Sequence, residues 1–211
     1  MNKSAKIPYP TIERLALYSR PLEALLDRDT SVISSEKLAE LCGGNPAQIR
    51  KDLAYFGEFG VRGVGYDVKE LLLKIREILS TDRTWTLCIV GMGNLGRALV
   101  ENENFRKMGY QFMAAFDADP KKLGQVLPCG LTIEPASTIG KRVRELHIQI
   151  GVVTTPPSKA QRVANQLIRA GIKALLNFTS TQVRPAGKCI VENVDFSVKL
   201  ENLAYHLAKI L

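Results

Sequence analysis

Three glycines that follow an apolar run have the spacing of a turn that binds a dinucleotide. Residues 87–90 are apolar enough to form a strand buried on both faces, and Gly91, Gly93 and Gly96 fit the pattern G-x-G-x-x-G. Gly91 would allow a tight turn, Gly93 would let the backbone approach a pyrophosphate, and Gly96 would let the next helix pack closely on the sheet. Free N–H groups at the start of that helix would face the diphosphate. The residues expected to bind it are Gly91, Met92, Gly93, Asn94, Leu95 and Gly96.

An acidic residue closes the second predicted strand of the same unit. Residues 110–116 have the pattern of a strand that ends at Asp117, twenty-one residues after Gly96. A carboxylate in this place accepts hydrogen bonds from both hydroxyls of the adenine ribose and repels a 2′-phosphate. The spacing therefore predicts NAD(H) rather than NADP(H), and a glycine turn that binds no nucleotide is the alternative.

The chain after residue 84 alternates between strands and helices. This order predicts a Rossmann-type parallel sheet with right-handed crossovers, in which ligands bind beyond the carboxyl ends of the strands. Thr155, Asn177 and Phe178 lie at the ends of two such strands, so we expect them beside the nicotinamide. An ordinary strand-to-loop cap fits each of them equally well.

Short helices joined by a glycine turn precede this unit. Residues 11–26 have the pattern of an amphipathic helix that Pro21 kinks or divides, and a second helix is predicted over 34–42. Asn45 is a good N-cap for a third helix, and Gln48 is placed to reach back to it. Two short helices about a turn that contains glycine are the signature of a helix-turn-helix.

The third helix has one apolar face and one polar face. Ile49, Leu53 and Phe56 recur at helical spacing and form the face that must be buried. The residues on or beside the outward face are Gln48, Arg50, Lys51 and Tyr55. Arginine and lysine read guanine in the major groove and glutamine reads adenine, so we expect these four side chains to contact DNA. A solvated helix face is the alternative.

A glycine-rich segment follows this helix. Gly57 is placed to end the helix, and residues 56–66 alternate glycines with apolar residues, with Arg62 near the middle. We interpret the segment as the β-hairpin wing of a winged helix, whose arginine enters the minor groove. A plain connecting hairpin is the alternative. A further helix over 68–79 leads to the boundary at 80–83.

The chain closes with a predicted helix that has a coiled-coil seam. Asp195 is its N-cap, and its apolar residues are spaced four and three apart: Phe196, Leu200, Leu203, Leu207 and Ile210. The favoured use of the seam is burial against a second subunit, which would also bring two helix-turn-helix units onto a palindromic operator. Cover from the chain's own Rossmann domain is the alternative. The expected organisation is an α/β protein with a winged-helix domain at 1–80, a Rossmann domain at 84–193 and a dimerisation helix at 194–211.

Composition restricts the class of protein. The 211 residues carry a net charge of +8, but residues 1–66 hold nine basic and eight acidic side chains, so charge alone does not argue for DNA binding. No apolar run is long enough to span a membrane and the first residues lack a signal-peptide core, so we expect a cytoplasmic protein. Four scattered cysteines and two histidines predict packing residues in a reducing compartment rather than metal ligands or disulfides.

Together these segments resemble the Rex family of bacterial redox-sensing transcriptional repressors over nearly the whole chain. The matching stretches are 7–8, 14–15, Tyr18, Arg20, 48–57, 62–66, 91–96, 116–117, 171–173, 177–178 and 193–196. The resemblance implies a homodimer with NAD(H) in each Rossmann domain, which binds its operator when NADH is low and releases it when NADH rises. It further implies a C-terminal helix swapped onto the partner subunit and an intersubunit ion pair between Arg20 and Asp195 that belongs to the DNA-competent state. It also puts Phe196 near the nicotinamide.

The chain departs from the family pattern at two positions. The family usually has a tyrosine six residues after the third glycine of the turn, where it helps enclose the nicotinamide, and here that residue is Asn102. Because the phenol ring and its hydroxyl are both absent, we expect nucleotide binding to survive and the contrast between NADH and NAD to weaken. Ser180 stands where a proline usually follows Asn-Phe-x.

The competing class is an NAD-dependent oxidoreductase with an appended helical domain. Hydride transfer to a carbonyl needs a placed acid or base, and neither His147 nor His206 lies where the reactive ring is expected. Tyr205 and Lys209 match the Tyr-x-x-x-Lys spacing of short-chain dehydrogenases, but that pair belongs in the middle of a fold and not at the end of a chain. A nucleotide-binding regulator that contacts only proteins would leave the wing without a role. We therefore expect a DNA-binding regulator and not an enzyme.

Overall fold

Contacts along the chain divide it into two compact units, Met1–Arg83 and Thr84–Leu211. The computed structural model describes residues 7–61, 63–185 and 187–210. The elements of the first unit are α1 (Tyr9–Leu26), β1 (Val32–Ile33), α2 (Ser35–Cys42), α3 (Pro46–Ala54), β2 (Tyr66–Asp67) and α4 (Val68–Ile78). The elements of the second unit are β3 (Trp85–Val90), α5 (Asn94–Glu101), α6 (Glu103–Lys107), β4 (Tyr110–Asp117), β5 (Ile133–Pro135), α7 (Ile139–Glu145), β6 (Ile150–Val153), α8 (Pro157–Ala170), β7 (Ala174–Asn177), β8 (Ile190–Asn193) and α9 (Phe196–Leu207).

Capping residues account for where α2 and α3 begin. The Ser34 hydroxyl accepts a hydrogen bond from the Lys37 N–H (3.1 Å), and the Asn45 side chain accepts one from the Ala47 N–H (2.8 Å). Gly43 ends α2 in the left-handed region, at φ 64°. The predicted helix-turn-helix is therefore present in the structure.

Two predictions about α3 are wrong. Gln48 does not reach back to the start of the helix, because its Nε2 donates to Oδ1 of the buried Asp52 (2.9 Å). The helix ends at Ala54 while Tyr55 still has a right-handed helical conformation, so Gly57 lies beyond the cap. The bond from Gln48 to Asp52 joins residues four apart on α3 itself, and it takes the place of the expected capping bond.

The core of the first unit takes buried residues from α1, α2, α3 and α4 and from both strands, β1 and β2. α1 runs unbroken through Pro21, because Leu15 and Tyr18 before the proline and Leu22 after it are buried in one core. That burial offsets the hydrogen bond that proline removes. The helix predicted at 68–79 is α4, and its buried apolar face packs on α1.

A two-stranded ribbon and a tight turn follow α3. β1 pairs antiparallel with β2, so that Ile33 lies opposite Tyr66. Just before β2, the Val61 N–H donates to the Gly65 carbonyl (2.9 Å) and the Gly65 N–H donates to the Val61 carbonyl (3.0 Å). The predicted wing is thus a tight hairpin, and the strand that leaves it is held by β1, which the sequence pattern did not reveal.

A six-stranded parallel sheet organises the second unit. Its strand order is β5-β4-β3-β6-β7-β8, which is the 3-2-1-4-5-6 order of the Rossmann fold, with the switch point between β3 and β6. The predicted fold class is confirmed. The edge strand β8 was not predicted, because four largely exposed residues are too few to show a period.

Alternate residues of β3 enter two different cores. Cys88 and Val90 pack into the core that holds α7 and α8, whereas Leu87 and Ile89 pack into the core that holds Val100. The strand is therefore buried on both faces, as predicted.

Burial raises the pKa of the Cys88 thiol to about 12, in keeping with a packing role. Cys129 is exposed, so the prediction of a packing role is wrong for that cysteine.

Candidate dinucleotide and DNA sites

The glycine turn has the geometry that its spacing predicts. Gly91 has φ 106°, and a Cβ on it would meet the carbonyl group of Thr154 at 2.7 Å. A Cβ on Gly96 would overlap the Gly91 carbonyl oxygen, so this glycine lets α5 begin directly on the turn. The Cβ position of Gly93 faces open space. The turn therefore leaves room for a ligand at Gly93 alone.

Backbone donors surround that space. The first helical hydrogen bond of α5 runs from the Arg97 N–H to the Gly93 carbonyl (3.0 Å). The N–H groups of Asn94 and Leu95 come earlier, where a helix supplies no acceptor, and they suit a diphosphate. Met92 differs, because its N–H donates to Oδ2 of Asp117 (2.7 Å) and so supports the acid.

Asp117 is nearly buried at the end of β4, and three donors bind it. Oδ2 accepts from the Met92 N–H and from the Lys122 ammonium group (2.9 Å), and Oδ1 accepts from the Asp119 N–H (2.9 Å). Burial opposes its charge, but these donors outweigh burial and hold the pKa of Asp117 below its ordinary value. One of the four acceptor positions of the carboxylate is left for a ligand. The expected bonds from Asp117 to the ribose hydroxyls stay a prediction, and Lys122 is a residue that the sequence pattern did not indicate.

Adjacent threonines after β6 differ in their hydrogen bonding. The Thr154 hydroxyl donates to the Gly91 carbonyl (2.7 Å) and helps to fix the turn. Thr155 Oγ1 is buried without a hydrogen-bond partner anywhere in the described part of the chain. It lies beside the turn, since a Cβ on Gly91 would meet the Thr155 nitrogen at 2.8 Å. An unpaired buried hydroxyl is unfavourable, so it indicates a partner from outside the chain, and the residues at this edge fit a dinucleotide.

Two aromatic rings meet near the same strand ends. The rings of Phe178 and Phe196 are stacked, with centroids 6.2 Å apart and planes 28° apart. The Phe178 N–H donates to the Val153 carbonyl (2.9 Å), so Phe178 lies next to the end of β6. The structure thus brings together two of the residues expected near the nicotinamide.

Asn177 is fully occupied within the protein. Its Nδ2 donates to the Thr181 carbonyl (2.8 Å) and to Oδ1 of Asn193 (2.8 Å). Its Oδ1 accepts from the N–H (3.1 Å) and the hydroxyl (2.9 Å) of Thr179. All four hydrogen-bonding positions of the amide are used within the protein, which gives Asn177 a structural role, and its expected contact with the nicotinamide stays a prediction.

Asn102 has a local role that its sequence position did not suggest. It follows the last residue of α5 and caps α6, because its Oδ1 accepts from the Asn104 N–H (3.0 Å). Asparagine is among the best N-caps, whereas tyrosine cannot make this bond. The amide oxygen of Asn102 therefore has a partner within the chain.

The outward residues of α3 are unequally available to DNA. Lys51 and Tyr55 are exposed, as predicted. Arg50 is exposed but already bonded, since its Nη1 donates to the Ser35 hydroxyl (2.6 Å) and to Oε1 of Glu36 (3.0 Å). The amide nitrogen of Gln48 is bonded to Asp52, and the expected contact of Gln48 with a base stays a prediction.

A buried carboxylate joins α3 to α1. Arg14 binds Asp52 through both Nε (2.6 Å) and Nη2 (2.7 Å), and the hydroxyls of Thr11 (3.1 Å) and Tyr18 (2.8 Å) also donate to it. Burial opposes ionisation, but the bonds from Arg14, Tyr18, Gln48 and Thr11 lower the pKa of Asp52 to about 2. The same network raises the pKa of Arg14. The sequence pattern did not predict this network. The one feature that pointed to it was an acidic residue beside the buried face of α3.

A concavity of about 790 Å³ lies between α3 and the wing. Its lining includes Arg50, Glu36 and the hairpin residues 57–61 and 63–66. Arg62, the expected minor-groove residue, lies outside the described residues.

The residues expected at a subunit interface are exposed or partly exposed. Asp195 caps α9 by accepting from the N–H (2.9 Å) and the hydroxyl (2.6 Å) of Ser197, which lower the pKa of Asp195. Arg20 is exposed on α1. None of the described residues of α9 is buried, and Leu203 is 66% exposed.

Across the described ranges, no helix is both long enough and apolar enough to cross a membrane.

Two family models match separate parts of the chain, and known relatives match almost its entire length. Residues 6–54 match the family described as "Putative DNA-binding protein N-terminus", and residues 82–181 match the family "CoA binding domain". The redox-sensing transcriptional repressor Rex of Syntrophobacter fumaroxidans is 56% identical over 206 residues, 98% of each chain. Rex 1 of Thermotoga maritima is 42% identical over 204 residues, 97% of each chain.

Solved structures agree with these relatives. RSP in complex with β-NAD⁺ and operator DNA has a TM-score of 0.91 and 36% identity, over 97% of this chain and 94% of that one. RSP in complex with β-NADH has a TM-score of 0.87 and 35% identity, over 97% of this chain and 96% of that one. RSP is described as a Rex-family repressor. With relatives of this identity over almost its entire length, the chain belongs to the Rex family of redox-sensing transcriptional repressors.

Proposed function

We propose that this protein is a homodimeric, cytoplasmic repressor that binds a palindromic DNA operator when NADH is low and leaves it when NADH binds. One observation carries the proposal: a glycine turn beside the unpaired buried hydroxyl of Thr155 occurs in one chain with a helix-turn-helix that exposes Lys51. The relatives that span the chain are named transcriptional repressors, so the protein is a regulator and the oxidoreductase alternative is dropped.

NAD(H) would be held by residues at one edge of the sheet. The turn at 91–96 would bind the diphosphate, and Asp117 with Lys122 would bind the adenine ribose. Thr155, Phe178 and Phe196 would contact the nicotinamide. The nicotinamide carries a positive charge when oxidised and is neutral and puckered when reduced, and that difference is what these residues would distinguish.

DNA would be bound by α3 and the wing, within a domain at 1–80. Arg50, Lys51 and Tyr55 would enter the major groove, and Arg62 would enter the minor groove. Positive charge on this surface also favours the phosphate backbone, which contributes affinity without sequence preference.

A second copy of the chain would cover α9 and the residues around it, over 194–211. The apolar seam of this segment is exposed, with Leu200 at 65%, Leu203 at 66% and Ile210 at 82%, and an exposed apolar stripe supports an interaction surface. Burial of the seam against a partner would place two winged-helix domains on two half-sites. Arg20 of one subunit and Asp195 of the other would then form the ion pair that the family resemblance implies.

The switch needs a difference in affinity between two states. To take the dimer from about 99% DNA-competent to about 1%, NADH must favour the released state by roughly 10⁴-fold, or about 5.5 kcal/mol. NAD⁺ must favour that state far less. The residues around the glycine turn would therefore bind NADH more tightly in the released arrangement of the dimer than in the DNA-competent one.

Selection of DNA followed by titration tests the proposal. The wild-type protein should enrich a palindromic duplex from a random pool, and NADH should release that duplex at concentrations where NAD⁺ does not. Lys51→Ala should weaken binding, while Lys74→Ala, which removes an α4 lysine paired with Glu77, should not. Enrichment of no duplex, or a complex that saturating NADH leaves intact, would refute the proposal.

A further inference from the structure

A contact between α2 and α3 restrains Arg50 in the absence of DNA. Nη1 of Arg50 donates both of its hydrogens, one to the Ser35 hydroxyl (2.6 Å) and one to Oε1 of Glu36 (3.0 Å). The Ser35 hydroxyl donates to the same oxygen of Glu36 (3.1 Å). Ser35 is buried, so the arginine is tied to a fixed point at the start of α2.

The contact leaves one edge of the guanidinium group available. Nε and Nη2 of Arg50 have no hydrogen bond to any residue within the described ranges, and 53% of the side chain is exposed. In a guanidinium group, Nε–H and one Nη2–H form a parallel fork that fits O6 and N7 of guanine. The tied nitrogen is the one that this fork does not use.

Because Glu36 is negatively charged, its contact with Arg50 favours base selectivity over general affinity for DNA. Glu36 and Arg50 both line the concavity between α3 and the wing. A carboxylate there repels phosphates, so it weakens general attraction to DNA. It also competes with phosphates for Arg50, and phosphate contacts carry no sequence information.

We propose that Ser35 and Glu36 are positioning residues that set base specificity by holding Arg50 with its Nε–Nη2 edge toward a guanine. The proposal rests on the proposed binding of DNA by α3. A long arginine side chain loses rotamer freedom when it is ordered, and the contact with α2 imposes part of that loss before DNA binds. The arginine therefore meets a base edge at a lower entropic cost than an untethered one.

The chain offers a matched control on the same helix. Glu40 lies one turn after Glu36, is 68% exposed against 67%, and pairs with Lys37 (2.9 Å) as Glu36 pairs with Arg50 (3.0 Å). Removal of either carboxylate changes the charge of α2 equally. Ser35→Ala removes half of the restraint with no change of charge.

The test uses the palindromic duplex that the wild-type protein enriches and a set of duplexes with each base pair replaced in turn. Arg50→Ala identifies the guanine that Arg50 reads. Glu36→Ala and Ser35→Ala should lower the preference at that base pair alone, by roughly tenfold and fivefold. Glu40→Ala should strengthen binding to all duplexes alike and leave the preference unchanged. Adding Glu36→Ala to Arg50→Ala should change no preference further.

The outcomes separate this inference from the proposed function. If the wild type enriches no duplex, both fail. If it does and Arg50→Ala relaxes no base pair, or if Glu36→Ala matches Glu40→Ala, the inference alone is wrong. A gain of guanine preference in Glu36→Ala would also overturn it, because Glu36 would then be a competitor of the base. Equal thermal unfolding midpoints for the variants show that the fold is intact.

Discussion

Lys122 Nζ lies 2.9 Å from Oδ2 of Asp117, the carboxylate at the end of β4. Their side chains are 30% and 10% exposed, so the pair is only partly screened by solvent. In the proposed dinucleotide site, the lysine would offset the negative charge that repels a phosphate on the adenine ribose. Lys122 would therefore weaken the discrimination that Asp117 alone would provide.

Loss of Lys122 should sharpen the preference for NADH over NADPH. With Lys122→Met, the uncompensated Asp117 repels a 2′-phosphate, and we expect the ratio of the two dissociation constants to rise about tenfold, or about 1.4 kcal/mol. Fluorescence titration with each dinucleotide measures the ratio. Lys121→Met removes an exposed neighbouring charge and should change the ratio much less. An equal effect of the two variants would contradict the prediction.

The hydroxyl of Thr155 should matter only when ligand is bound. Thr155→Val removes an unpaired buried hydroxyl, so the free protein should keep or slightly gain stability, while NADH binding should weaken by about 0.5–1.5 kcal/mol. Thr154→Val is the opposite case, because Thr154 bonds the Gly91 carbonyl and its loss should destabilise the free protein. Thermal unfolding with and without NADH distinguishes the two. A free Thr155→Val protein that is clearly less stable would show that Thr155 has a partner within the chain.

Asn102 should contribute to α6 and to redox discrimination in separable ways. Asn102→Tyr and Asn102→Ala both lose the cap on α6 and should cost about 1 kcal/mol, seen as faster amide exchange over 103–107. Only Asn102→Tyr adds an aromatic ring, so only it should sharpen the difference between NADH and NAD⁺ in releasing DNA. If the wild type already discriminates as sharply as Asn102→Tyr, another residue reads the ring, and Phe196 is the first to examine.

A charge in the α9 seam should separate the proposed dimer. Leu203→Asp would bury an unpaired carboxylate at the interface, which costs several kcal/mol, and sedimentation at micromolar concentration should show a monomer with weak operator binding. Asn202→Asp adds the same charge one residue away, off the seam, and should remain dimeric. Leu203→Asp that sediments as a dimer would exclude this interface.

The Asp52 network should give a characteristic response to acid. Asp52 ionises at a pKa of about 2 against an ordinary 3.8, so its contribution to stability is complete above pH 3.8 and is lost as the pH falls from 3.8 toward 2. Asp52→Asn should cost about 3 kcal/mol near neutral pH, at the low end for a broken buried pair because a third of Arg14 is exposed. Urea unfolding should show the gap between wild type and Asp52→Asn closing below pH 3.8. Glu77→Gln, which breaks an exposed pair, should cost less than about 0.5 kcal/mol at any pH.

Local residue patterns determined most of the architecture. The helix ends at Ser34, Gly43 and Asn45 could be predicted, because capping depends on a few neighbouring residues. The strand, glycine turn and helix at 85–101 follow from apolar period and turn chemistry, and alternation of strands with helices leads to a parallel sheet. The short strands β1, β2 and β8 could not be predicted, because they depend on pairing with distant segments.

Only the tertiary structure decided which polar side chains remain available to a ligand. In the sequence, Arg50, Asn177 and Asp117 are simply polar residues at expected sites, but each is bonded to another segment of its unit: Arg50 to α2, Asn177 to β8, and Asp117 to the glycine turn and Lys122. Thr155 is the reverse case, since its hydroxyl is buried and finds no hydrogen-bond partner among the residues that the structure describes. The path of the backbone brings these groups together or keeps them apart, and no local pattern of residues encodes that path.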